Sequence, residues 1–126
     1  MVKEIISTEN APGAIGPYSQ AIKKDKWIFV SGQLPVNPQT GEISDDIKEQ
    51  TKQSLTNVKE IVEKAGASLE NVVKTTVFLK DLSHFSAVNE IYGEFFEGNY
   101  PARSCVEVSK LPKDVGVEIE VIAILE

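Results

Sequence analysis

Cysteine is almost missing from this chain, with Cys105 the only one among 126 residues. A single thiol cannot close an internal disulfide, so the fold has to be held by its core rather than by crosslinks. Histidine is equally scarce, His84 alone, and no Cys or His cluster offers metal-ligand spacing. No metal and no cofactor are therefore expected. No apolar run approaches the ~20 residues that a membrane span needs. Basic charge is also short: 13 Lys and Arg stand against 19 Asp and Glu, a net charge of −6. Without a basic cluster there is no electrostatic footprint for nucleic acid or for an anionic membrane. Met1 to Ser7 lacks a long apolar h-region, so no secretory signal is expected, and a reducing, cytoplasmic setting follows.

Hydrophobic residues make up 41% of the chain, enough to bury a core within one compact domain spanning residues 1–126. Val2 to Ser7 reads as a short edge strand. A turn-rich stretch from Asn10 to Pro17 follows. Tyr18 to Lys23 and Trp27 to Gln33 read as a hairpin about a short polar turn. The first helix is capped by Asp45 or Asp46, with Glu49 placed as in a capping box. Ile47, Leu55, Val58, Ile61, Val62 and Ala65 form its apolar stripe, and Gly66 is placed to end it. A Val- and Thr-rich strand covers Val72 to Lys80. A second helix starts at Ser83, carries Phe85, Val88, Tyr92, Phe95 and Phe96, and ends at Gly98. Ala102 to Ser109 and Val115 to Leu125 are the last strands. The layout is α+β, a single mixed β-sheet with two helices on one face.

Two helices cover only one face of such a sheet. The other, carrying Ile122, Ile124 and Cys105, is expected to be buried by self-association.

The segment Pro101-Ala102-Arg103-Ser104-Cys105-Val106 places Arg103 and Cys105 on one side of a strand, since residues two apart share a face. A guanidinium there wants an anion, either a protein carboxylate or a ligand's. The last strand offers Glu118 and Glu120, both of one parity, and either could serve as a plain structural partner of Arg103. Cys105 with His84 has no oriented third group for nucleophilic catalysis, and Cys105 reads as a small buried hydrophobe.

Ordered motifs run from Glu9-Asn10-Ala11-Pro12 through Ile15-Gly16-Pro17-Tyr18-Ser19-Gln20-Ala21, Val30-Ser31-Gly32-Gln33-Leu34-Pro35 and Pro101 to Val106. Leu111-Pro112-Lys113-Asp114 and Glu118-Ile119-Glu120 close the series. In these the chain closely resembles the RidA (YjgF-type) reactive-intermediate deaminase family, nearly end to end. The resemblance implies a homotrimer with a fold similar to trimeric chorismate mutase and sites at subunit interfaces. It also implies hydrolysis of 2-imino acids and enamines, such as 2-iminobutanoate and 2-iminopropanoate, to 2-oxo acids and ammonia.

For that chemistry Arg103 suits the substrate carboxylate, because its fork matches one bidentately. Glu118 suits the positioning or activation of water. The resemblance further implies substrate contacts from Tyr18, from Ser31 and Gly32, from Asn89 and from the backbone of Cys105. Each has a plainer alternative. Tyr18 reads equally as an interface aromatic, Ser31-Gly32 as the end of a strand, and Asn89 as a solvated helix residue. A non-catalytic binder of small carboxylates stays open as a second function, and a ribonuclease or chaperone-like role as a third.

Overall fold

In the computed structural model, which describes residues 2–126, six strands form one sheet with two helices on one side. The elements are β1 (Glu4–Ile6), β2 (Ala21–Lys24), β3 (Trp27–Gln33), α1 (Ile47–Lys64), β4 (Val72–Leu79), α2 (Phe85–Phe96), β5 (Ala102–Glu107) and β6 (Val117–Ile124). This is the order expected from the sequence. In space the strands run β1-β2-β3-β6-β4-β5. Only β4 and β5 pair in parallel, joined by the crossover through α2 that such a pair requires. The last strand, β6, lies between β3 and β4 and is antiparallel to both. No helix of the described residues is long and apolar enough to cross a membrane.

Local chemistry explains where the helices stop. Asp46 accepts a hydrogen bond from the Glu49 N–H at 3.0 Å, the cap expected for α1. The reciprocal half of the capping box is absent, because the Asp46 N–H donates to Ser44 Oγ instead. At the other end Gly66 takes φ +92°. Its N–H donates to the Glu63 carbonyl and that of Ala67 to the Val62 carbonyl, a Schellman ending. The second helix begins later than Ser83. Asp81 accepts from the Ser83 N–H and caps a 3-10 turn, Leu82–His84, ahead of α2.

The core lies between the helices and one sheet face. Leu55, Val58, Ile61 and Val62 of α1 and Val117, Ile119 and Ala123 of β6 are fully buried, the leucine, isoleucine and valine side chains contributing about 1.5–3 kcal/mol each. A polar row on α1 is buried beside them. Ser54 Oγ donates to the Gln33 carbonyl, and Asn57 Nδ2 to the carbonyls of Leu34 and Val36. These bonds satisfy the backbone where the chain leaves β3, and so fix that end of the strand.

The far face of the sheet is open. Trp27 and Phe29 stack there with ring centroids 6.0 Å apart, on rungs shared with Ile124 and Ile122. Cys105 does not belong to this face. It is in register with fully buried Val77 and packs against the core on the helix side. Strand parity had paired it correctly with Arg103, but parity cannot say which face the helices cover.

Candidate functional site

Arg103 sits on β5, at the sheet edge, opposite Thr75 of β4. Its side chain turns toward α2, where Phe85, Asn89 and Tyr92 occupy one helical face. Nη1 donates to Asn89 Oδ1 at 2.7 Å. The guanidinium carbon lies 4.7 Å from the Tyr92 ring centroid and 5.3 Å from that of Phe85. Among the described residues no carboxylate forms an ion pair with it. Asn89, Tyr92, Gly93, Tyr100 and Pro101 line a cleft of about 490 Å³ with Arg103. Cys105 follows on the same face, and burial pushes its thiol pKa up despite the nearby Arg103.

The free edge of β5 bears on the Cys105 backbone. The Val108 N–H donates to the Leu79 carbonyl across the β4 pairing. Successive residues of a strand send their N–H groups to opposite sides, so Val106 and Ser104 also bond toward β4. Arg103 and Cys105 direct their backbone groups off the edge of the sheet.

Glu118 lies on the opposite, open face, on β6 beside Phe78 of β4. Glu120 shares that face. Neither glutamate partners Arg103, because the sheet itself stands between them. Glu118 is half-buried, and its pKa is raised, first by desolvation and then by the Glu120 charge.

Its position is made possible by a bulge in β3. Val30 faces Val121 of β6, yet Gln33 faces Ile119, so one extra residue is accommodated at Ser31–Gly32. The strand therefore continues through this pair rather than ending there. A Cβ on Gly32 would overlap Glu118 Oε2. Only a glycine lets the carboxylate rest against the backbone here.

Tyr18 is on the same open side but not on a strand, since β2 starts only at Ala21. Two anchors hold its loop. Ser31 Oγ donates to the Ser19 carbonyl at 2.6 Å, which engages the hydroxyl expected to meet substrate. Buried Gln20 donates from Nε2 to the carbonyls of Thr8, Ala11 and Pro12, and accepts from the Thr8 N–H. With the loop so pinned, Tyr18, Ser31, Phe29, Glu120 and Ile122 line an open groove of about 650 Å³.

The expected residues thus fall into two groups. Arg103, Asn89 and Cys105 lie on the helix side at the β5 edge. Glu118, Gly32, Ser31 and Tyr18 lie on the open face. Each group holds part of the residue set that the resemblance implies for one site. Phe85 and Tyr92 as supports of Arg103, and Gln20 as the anchor of the Tyr18 loop, were not singled out from sequence. The 85, 89, 92 spacing was the available signal, masked because aromatics at helical spacing read first as core.

Known proteins resemble this chain over nearly its whole length. The endoribonuclease L-PSP family profile matches residues 8–125. A RutC family protein of Pyrococcus abyssi is 60% identical, with 100% of both chains covered. The 2-iminobutanoate/2-iminopropanoate deaminase of Escherichia coli K12 is 55% identical over 98% of each chain. The crystal structure of E. coli TdcF with bound serine has a TM-score of 0.95 and 52% identity, covering 98% of this chain and 99% of that one. By profile, sequence and backbone alike, the chain belongs to the endoribonuclease L-PSP family, the group of RutC- and YjgF-type proteins.

Proposed function

We propose that this protein is a hydrolytic deaminase of reactive 2-imino acids and their enamine tautomers, 2-iminobutanoate and 2-iminopropanoate among them. The name of the 55% identical E. coli deaminase supports the substrate class. The observation that carries the reading is the division of the site. An arginine without a counter-ion and a half-buried carboxylate of raised pKa lie on opposite faces of one sheet. They can act on one small molecule only where two copies meet. The open apolar face of Trp27, Phe29, Ile122 and Ile124 gives the reason for copies to meet. The assembly is a homotrimer, in which Arg103, Asn89 and the Cys105 backbone of one copy face Glu118, Gly32, Ser31 and Tyr18 of the next. Sedimentation at micromolar concentration is expected to report a trimer, and a monomer would refute this arrangement.

Within the joined site Arg103 holds the substrate carboxylate. Glu118 accepts a proton from water as its oxygen adds to the imine carbon. That proton returns from Glu118 to the nitrogen and the carbinol hydroxyl's proton follows it, so the carbinolamine releases ammonia and leaves the 2-oxo acid. Overall, one imine and one water become one 2-oxo acid and one ammonia. A mere binder of carboxylates has no use for a second acid beside its anion, since that charge would repel the ligand. The acidic chain, with a net charge of −6, is a poor match for a nucleic-acid backbone.

The test couples the purified protein to an enzyme that releases 2-iminobutanoate and follows loss of the imine. No acceleration over the spontaneous rate would end the proposal. The same assay has an expected pH signature. A base whose pKa is raised is protonated at a pH above the usual carboxylate range, so the catalysed rate should fall on acidification before an ordinary glutamate would titrate. Glu120→Gln removes a charge that raises the Glu118 pKa, so it should move that fall to lower pH. An unmoved profile would mean that another group controls the rate.

A further inference from the structure

Arg103 is exposed, yet it is not loose. An arginine on an edge strand would ordinarily sample many rotamers. Here Phe85, Asn89 and Tyr92 hold it, and all three are neutral. Their spacing of four and then three residues places them on one face of α2. Tyr92 is itself fixed. It is 4% exposed, its ring lies 4.7 Å from that of Phe96, and its hydroxyl is 2.7 Å from Thr75 Oγ1. Thr75 is the β4 partner of Arg103. The residue that orients the ring therefore stands beside the residue that rests on it.

A carboxylate in this place would hold the guanidinium at least as firmly, but it would also neutralise it. An aromatic face attracts a cation through its quadrupole and carries no net charge. The geometry points to Phe85 and Tyr92 as positioning residues for Arg103: an aromatic cradle that sets the plane of the guanidinium and leaves its charge for a ligand carboxylate. This rests on the reading that Arg103 binds the substrate carboxylate. The rings act through Arg103, by ordering it before the ligand arrives.

Titration calorimetry with 2-oxobutanoate tests the cradle on Phe85→Leu, Tyr92→Leu, Tyr92→Phe and Arg103→Ala, with thermal melting as the check on folding. Phe85→Leu, at a solvent-exposed position, should weaken binding about three- to fivefold, and Tyr92→Leu about tenfold. Tyr92→Phe keeps the ring and should stay within about twofold of wild type. In imine hydrolysis the leucine variants should raise KM and leave kcat nearly unchanged, the pattern of lost ground-state binding. A destabilised core alone does not produce that split together with rescue by phenylalanine. If Phe85→Leu binds as wild type while Arg103→Ala does not bind, the cradle is refuted and the carboxylate site stands. If Tyr92→Phe loses as much as Tyr92→Leu, the ring is not the cause and the proposal also falls. If Arg103→Ala binds 2-oxobutanoate as well as wild type, the functional reading itself fails, and the cradle with it.

Discussion

Arg103→Ala is expected to lose about 10²-fold or more in kcat/KM for 2-iminobutanoate, with the fold and the proposed trimer intact. The side chain is exposed in the single chain and meets only Asn89 and two aromatic faces, so its removal leaves no buried group unpaired. Truncating one partner of a desolvated charge pair costs about 2–5 kcal/mol, and the proposed pair forms only with ligand bound. Arg103→Lys should recover little, because a point charge cannot reproduce two parallel bonds to a carboxylate. The measurement is the coupled imine assay beside a sedimentation profile. A correctly assembled Arg103→Ala protein with near-normal activity would remove Arg103 from the site.

Glu118→Gln should keep affinity for 2-oxobutanoate, or gain some, while the hydrolytic rate falls. Glutamine preserves the shape but cannot take a proton from water. General-base assistance contributes about 10²–10⁴-fold, and the loss should sit near the lower figure because imines also hydrolyse unaided. Gly32→Ala offers the same test by another route. Its new Cβ would meet the end of the Glu118 side chain rather than backbone, so the carboxylate moves aside and the fold survives. The rate should fall in parallel with Glu118→Gln, with melting temperature nearly unchanged. Wild-type turnover in both variants would leave Glu118 a structural residue. Loss of binding together with rate would make its task the shaping of the site.

Much of this architecture was legible in the sequence because it depends on local rules. An aspartate cap at 45 or 46, the Gly66 ending, the order of strands and helices and the shared face of Arg103 and Cys105 all follow from spacing and residue type. What was not legible depends on contacts between distant segments. Parity groups residues by face, but only packing decides which face receives the helices, and so Cys105 was assigned to the wrong side. The pairing of β6 between β3 and β4 has no local signature either. Tyr18 was expected on a strand as the start of one arm of a hairpin about a short polar turn. Instead Gln20 spends its amide on three loop carbonyls, a choice visible only once the loop is folded. The separation of Arg103 from Glu118 was hidden for the same reason, since they belong to strands with β4 between them.

The bulge at Ser31–Gly32 works on β3 as a frameshift works on a reading frame. Before it, Ile28 and Val30 face the helices; after it, Gln33 does, so even positions give way to odd. Deleting either residue would restore a regular ladder with both ends of the strand on their present faces, since Val30 and Gln33 would then stand two apart, as Val121 and Ile119 do. What it would remove is the bulge itself, and with it the backbone against which the Glu118 carboxylate rests. Chain length here is constrained more tightly than side-chain identity at Ser31. Aligned relatives should tolerate exchange of that serine long before they tolerate a gap.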